Sequence, residues 1–158
     1  MEFHPGPIEG VVWKALQKYN DARGWLCELF REDELPAAVH PVMAYISLSH
    51  AGVARGPHEH REQTDFFCFL GPGNFKIYLW DGRRTSPTFR ARQTDVVGAD
   101  KPMALIIPPG VVHAYRNVSE EPGMVFNCPN QLFKGRGRKH AVDEIRHEDE
   151  AESPFRLD

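Results

Sequence analysis

Thirteen prolines and thirteen glycines in 158 residues limit what this chain can fold into. Proline lacks a backbone donor and disrupts helix interiors, so this many are hard to fit into a helical bundle. Between these residues lie short β-branched and aromatic runs bounded by Gly, Pro, Asn or Asp, the signature of strands joined by turns. Strands are predicted at Gly10–Ala15, Trp25–Phe30, Pro41–Ser49, Gly52–His60, Asp65–Leu70, Phe75–Trp80, Met103–Ile107, Val112–Asn117 and Met124–Cys128. Such spacing suits an all-β sandwich or barrel. Gly71-Pro72-Gly73-Asn74, Asp81-Gly82 and Pro108-Pro109-Gly110 supply turn chemistry. The one helical turn expected lies around Glu32–Ala38. No repeat or linker divides the chain, so residues 1–158 are expected to form one domain.

Charge and hydropathy narrow the partners. Nineteen basic and 22 acidic side chains give a net charge of −3 with histidines neutral, which argues against a nucleic-acid binder relying on phosphate neutralisation. No apolar run approaches the roughly 18–20 residues of a membrane span. The first residues lack the basic and apolar regions of a signal peptide. Three cysteines (Cys27, Cys68 and Cys128) are an odd number, read as reduced, buried thiols rather than a disulfide framework. A cytoplasmic protein without membrane or nucleic-acid partners is expected.

Three of the eight histidines have spacings that make chemical sense. His58 and His60 lie two apart in a predicted strand and therefore share a face. His113 follows the Pro108–Gly110 turn. All three can converge inside a barrel.

Here the sequence resembles the cupin superfamily. Gly52, His58, His60 and Asp65 follow its first motif, G-x5-H-x-H-x3–4-E, with Asp for Glu; Pro108, Gly110, His113 and Asn117 match the second, P-x-G-x2-H-x3-N. The resemblance implies a double-stranded β-helix (jelly-roll) barrel with a site at the bottom of its cup. Longer stretches resemble the dTDP-4-dehydrorhamnose 3,5-epimerase branch: Asp21-Ala-Arg23-Gly-Trp25-Leu-Cys-Glu28, Ser47 to His58, Asp81-Gly-Arg83-Arg84-Thr-Ser86-Pro-Thr88-Phe89, and Ile145 to Asp149. That resemblance implies a homodimeric epimerase of nucleotide-linked keto-deoxysugars in polysaccharide biosynthesis, with no required cofactor. It implies His58 as the base, Asp149 as its orienting carboxylate, and Arg23, Glu28, Arg55 and His113 as substrate-binding groups. Removing a proton beside a ketone needs a base and stabilisation of the enolate oxygen.

Several positions depart from the family pattern. Counting thirteen residues from His113, the family's acidic tyrosine falls on Phe126, and a second tyrosine falls on Leu132. Its lysine falls on Asp65, and its nucleotide-side Gln and Asn fall on Met43 and Tyr45. Tyr115 is a candidate replacement acid. Exchanging a lysine for Asp65 while gaining His60 also fits a metal set of His58, His60, Asp65 and His113 for Zn, Mn, Fe or Ni. A metal-bound His58 could not be a free base, leaving that role to Glu62 or a bound hydroxide. Alternatively, His60 hydrogen-bonds substrate or a neighbouring acid. Two other classes stay open: a metal-dependent dioxygenase or lyase, and a non-catalytic sugar-binding cupin.

Two further segments carry expectations. Strands within residues 8–30 are assigned to a dimer interface, with Trp13, Trp25 and Trp80 as core or interface anchors. The charged segment 134–158 is either a solvated tail whose charges cancel or a strap folded over the barrel mouth.

Overall fold

The computed structural model describes all 158 residues. They form thirteen strands: β1 (His4–Pro5), β2 (Val12–Ala15), β3 (Lys18–Asp21), β4 (Gly24–Cys27), β5 (Tyr45–Ser49), β6 (Ala54–His60), β7 (Asp65–Phe69), β8 (Asn74–Asp81), β9 (Ala91–Gly98), β10 (Met103–Ile107), β11 (Val111–Asn117), β12 (Gly123–Asn127) and β13 (Glu144–Arg146). The only helical pieces are 3-10 turns, two of them, Glu32–Glu34 and Ala37–Val39, where a helical turn is expected. A six-stranded sheet, in the order β1-β9-β8-β11-β6-β13, faces a five-stranded sheet, β2-β10-β7-β12-β5. This is the jelly-roll architecture of the cupins. No helix is long and apolar enough to cross a membrane.

Strand alternation sorts the apolar residues into three layers. Between the sheets lie Phe67, Phe69, Phe75, Ile77, Leu79, Leu105, Val111, Tyr115 and Val125. The opposite face of β7 sends Phe66 and Cys68 outward to Leu16, Leu70 and Cys128. The outer face of the six-stranded sheet stacks Tyr78 and Trp80 under Phe155. Thus β7 is buried on both faces, as its continuous apolar run predicts. Cys68 and Cys128 are buried free thiols, and Cys27 is half-buried and free.

Four strands escape the propensity reading: β1, β3, β9 and β13. The β9 segment contains Arg92, Gln93, Thr94 and Asp95 and is held by pairing with β8 rather than by apolar alternation. Both β1 and β13 are very short and form by docking on β9 and β6. The solvated-tail alternative is overturned for the chain end. Ser153 and Phe155 are buried, and the Asp158 carboxylate accepts from Lys76 Nζ at 2.9 Å. The tail straps the six-stranded sheet.

The Asp81–Phe89 motif forms a scaffold. Asp81, fully buried, accepts from Arg83 Nε at 2.9 Å, Ser86 Oγ at 2.6 Å and Thr88 Oγ1 at 2.6 Å. Burial alone would raise its carboxyl pKa, but these donors hold it well below the usual carboxylate range. Arg84 is exposed.

Candidate active site

The inward positions of β6, β7 and β11 meet at one end of the inter-sheet space. His58 pairs with His113 across β6 and β11, and a bulge follows before Tyr115 pairs with Arg55. Gly56 permits this irregularity: its φ is +83°, and an added Cβ would meet the His113 carbonyl at 2.5 Å. Gly110, with φ +76°, closes the Pro-Pro-Gly turn and donates its N–H to the His60 carbonyl at 2.8 Å. The two expected histidine segments are thereby locked together.

A cavity of about 1390 Å³ opens over this floor. Its wall includes Met43, Tyr45, Ser47, Arg55, His58, His60, Glu62, Tyr115 and Leu132, while Lys134, Arg138 and His140 come from the charged tail. Part of the charged segment thus lies along the mouth, and β13 pairs with β6.

Three imidazoles and one carboxylate cluster at this end: His58 and His60 line the cavity, whereas His113 and Asp65 are almost completely buried behind them. The His58 and His113 ring centres are 4.5 Å apart, edge to face. Asp65 Oδ2 lies 3.1 Å from both His60 Nε2 and His113 Nε2. Asp65 Oδ1 accepts from Asn127 Nδ2 and Gln63 Nε2, each at 2.8 Å. The His113 Nδ1–H donates to the Val111 carbonyl at 3.0 Å, which leaves Nε2 turned toward Asp65.

Electrostatics separate the histidines. Burial, reinforced by His113 and His60, pushes His58 down to about 2, so it is neutral at physiological pH. Burial also opposes charge on His60, but Asp65 beside it raises its pKa overall. Burial alone would raise Asp65; the adjacent His113 and His60 hold it far below the usual carboxylate range. Tyr45 is pushed up to about 12 by burial, and Tyr115 is raised chiefly by the same cause. Both phenols are protonated at neutral pH. Tyr115 Oη lies 3.0 Å from Ser47 Oγ.

Other expected residues are placed differently. Asp149 is exposed and absent from the cavity wall. The reason is register: β13 pairs Arg146 with His58, after which His147 turns to Glu59 on the opposite face of β6, 3.0 Å away. The carboxylate beside His58 Nδ1 is instead Glu144, at 3.7 Å. Arg23 is an exposed turn residue paired with Asp21, and Glu28 lies near Arg31; neither lines this cavity. Arg55 lines it, steadied by Nε donation to Ser49 Oγ at 3.1 Å. Phe126 packs on the outer layer with Phe66 and Cys68, so the thirteen-residue count lands on the wrong face of β12. Its inward neighbours are Val125 and Asn127.

Glu144, Gln63 and Asn127 are the site residues that sequence reasoning missed. Alternation along Asp143-Glu144-Ile145-Arg146 is the signal that could have exposed Glu144. Asp143 adds a structural link: its carboxylate accepts the backbone N–H groups of Arg61, Glu62 and Gln63 at 3.1, 3.0 and 2.9 Å.

A profile of the dTDP-4-dehydrorhamnose 3,5-epimerase family matches residues 5–150. Over 115 residues, covering 73% of this chain and 75% of the relative, the sequence is 39% identical to a spore coat polysaccharide biosynthesis protein, SpsL, of Bacillus subtilis. Over 127 residues, 80% of this chain and 81% of the relative, it is 33% identical to a probable low-salt glycan biosynthesis epimerase, Agl13, of Haloferax volcanii. Among solved structures, a dTDP sugar isomerase from Desulfovibrio desulfuricans G20 superposes with a TM-score of 0.81 at 24% identity, covering 94% of this chain and 91% of that one. A histidine-floored cup on a jelly roll thus coincides with a family match along nearly the whole sequence: the chain belongs to the dTDP-4-dehydrorhamnose 3,5-epimerase family, isomerases that act on sugars.

Proposed function

We propose that the cavity binds a nucleotide-linked 4-keto-deoxysugar and that His58 removes a proton from a carbon beside its ketone. The observation that carries this reading is the placement of His58: on the wall of a large cavity, with Nδ1 3.7 Å from the Glu144 carboxylate. A carboxylate on one imidazole nitrogen orients the ring and supports the imidazolium formed when the other accepts a proton. Glu144 takes the orienting role first assigned to Asp149. Loss of the C–H proton leaves its electron pair in the enolate, with negative charge on the ketone oxygen. Reprotonation of the carbon from the opposite face inverts the centre.

Tyr115 is the donor we favour for that second step, because its protonated phenol sits on the wall beside Ser47. Arg55 faces the sugar or phosphates; His113, expected to bind substrate, is almost completely buried off the cavity wall and packs edge to face against His58 instead. Lys134 and Arg138 supply cationic charge at the mouth for the diphosphate. Arg23 and Glu28 reach a nucleotide only if a second copy of the chain brings them to the cavity, which ties their role to a homodimer built through residues 8–30. The names of the relatives support polysaccharide or glycan biosynthesis, and the cytoplasm is the compartment we assign. The chemistry needs no organic cofactor. A divalent metal (Zn, Mn, Fe or Ni) on His58, His60, Asp65 and His113 would occupy the base, so the epimerase reading uses these residues without a metal.

The test uses metal-stripped protein and a dTDP-linked 4-keto-6-deoxyhexose, followed by NMR. Wild type is expected to generate an epimer, and His58→Gln to lower the rate by at least about 10²-fold, in the range typical of a lost acid–base group. Tyr115→Phe should lower kcat by a similar factor with little change in KM. No epimer from wild type, or equal rates in His58→Gln, would refute the assignment.

A further inference from the structure

We propose that Tyr45 is the catalytic donor to the ketone oxygen, its phenolic O–H stabilising the negative charge that the enolate places there. This role rests on the epimerase reading and fills the part of the reaction that His58, Glu144 and Tyr115 leave open. When His58 takes the proton, the C–H electron pair becomes the C=C bond and the carbonyl π pair moves onto oxygen. A donor already aimed at that oxygen acts most strongly once the charge has formed, so it lowers the barrier more than it tightens binding. On reprotonation of the carbon the electron pairs return, and Tyr45 keeps its hydrogen throughout.

Strand pairing puts the phenol where this role needs it. β5 is an edge strand of the five-stranded sheet, and Tyr45 lies opposite Asn127 of β12. Alternation turns Ile46 and Leu48 outward, each at least half exposed, and brings Tyr45 and Ser47 to the cavity wall. His58 reaches the same cavity from the six-stranded sheet. Base and phenol thus stand on facing sheets with the cavity between them.

The buried Asn127 fixes the phenol oxygen and sets the direction of its bond. Asn127 Oδ1 accepts the Phe66 backbone N–H at 3.1 Å, so the amide hydrogens face the other way. They go to Asp65 Oδ1 at 2.8 Å and to Tyr45 Oη at 2.9 Å. The phenol oxygen is therefore the acceptor in this bond, and its own hydrogen is left for the cavity. Burial pushes the phenol up to about 12, so it carries that hydrogen at neutral pH. Neighbouring donors are less free. Arg55 spends Nε on Ser49 Oγ and Nη2 on the Leu48 carbonyl. His60 Nε2 faces Asp65, and its Nδ1 is closed off from solvent.

Tyr45→Phe removes one oxygen from a residue that is 43% exposed, and near-ultraviolet circular dichroism verifies its fold. It should lower kcat about 10²-fold, the loss typical of a missing oxyanion donor, with KM within about threefold of wild type. A dTDP-linked 4-keto-6-deoxyhexose in D₂O then separates the two phenols. Tyr115→Phe should still exchange the carbon-bound hydrogen through His58 while forming little epimer. Tyr45→Phe should lose exchange and epimer together. Exchange by Tyr45→Phe close to the wild-type rate, with or without epimer, would overturn the role of Tyr45 and leave the epimerase reading intact. No exchange by wild type would refute that reading, and this role with it. Fluorotyrosine in place of Tyr45 decides if Tyr45→Phe does not fold. Its more acidic phenol should move the alkaline fall in kcat to lower pH, and an unmoved profile would overturn the assignment.

Discussion

Single residues decide this site, and one of them misleads. Phe126 invites the inference that the family's acid was replaced by a phenylalanine. Its ring instead packs against Phe66 and Cys68 outside the cup, so Phe126→Tyr is predicted to leave kcat within about twofold of wild type. A gain of tenfold or more in steady-state assays would show that this position reaches the sugar. The histidines were legible because period-two spacing and the Pro-x-Gly turn depend only on local geometry. Glu144 and Asn127 were not, since their inward facing depends on strand pairing between distant segments. Glu144→Gln tests the positioning role: it should lower kcat about tenfold or more and alter its pH profile, with KM little changed. An unaltered pH profile would deny that Glu144 acts through His58.

Strands and turns show how the sequence reads as structure and where it stops. Strands with apolar alternation or runs, such as β7, β10 and β12, lie within about a residue or two of expectation. Polar β9 and short β13 owe their existence to partners already in the sheet. The Asp81–Phe89 motif reads as a family signature, yet its Asp81, Arg83, Ser86 and Thr88 form a buried polar cluster that fixes the loop. Because the folded carboxyl has a lowered pKa, Asp81 contributes stability that is fully present above the ordinary carboxylate pKa and lost as pH falls through the folded value. Asp81→Asn should cost roughly 2–4 kcal/mol at pH 7, with the gap to wild type narrowing in acid. Urea denaturation at both pH values checks this, and a constant gap would contradict it. Asp143→Ala should likewise destabilise the 61–63 turn, by about 1–3 kcal/mol, and raise KM as the cavity wall loosens.

At the scale of the whole molecule, exposed apolar residues gather on the N-terminal strands and β5. Trp25, Leu26, Ile46 and Leu48 are each at least half exposed, an arrangement that favours burial against another copy. Trp80 lies in the core, whereas Trp25 is an exposed anchor candidate. Light scattering should report a dimer for wild type and a monomer for Leu26→Asp combined with Ile46→Asp; a monomeric wild type would remove the route by which Arg23 and Glu28 reach a cavity. The jelly roll, the cavity wall that holds His58, Glu144 and Tyr115, and the family match converge on proton removal beside a ketone. The most direct test is the mass spectrum of a dTDP-linked 4-keto-6-deoxyhexose incubated with the enzyme in D₂O. The account predicts deuterium at one or both carbons flanking the ketone with wild type and almost none with His58→Gln. No deuterium above the enzyme-free control, or equal labelling by both proteins, would contradict it.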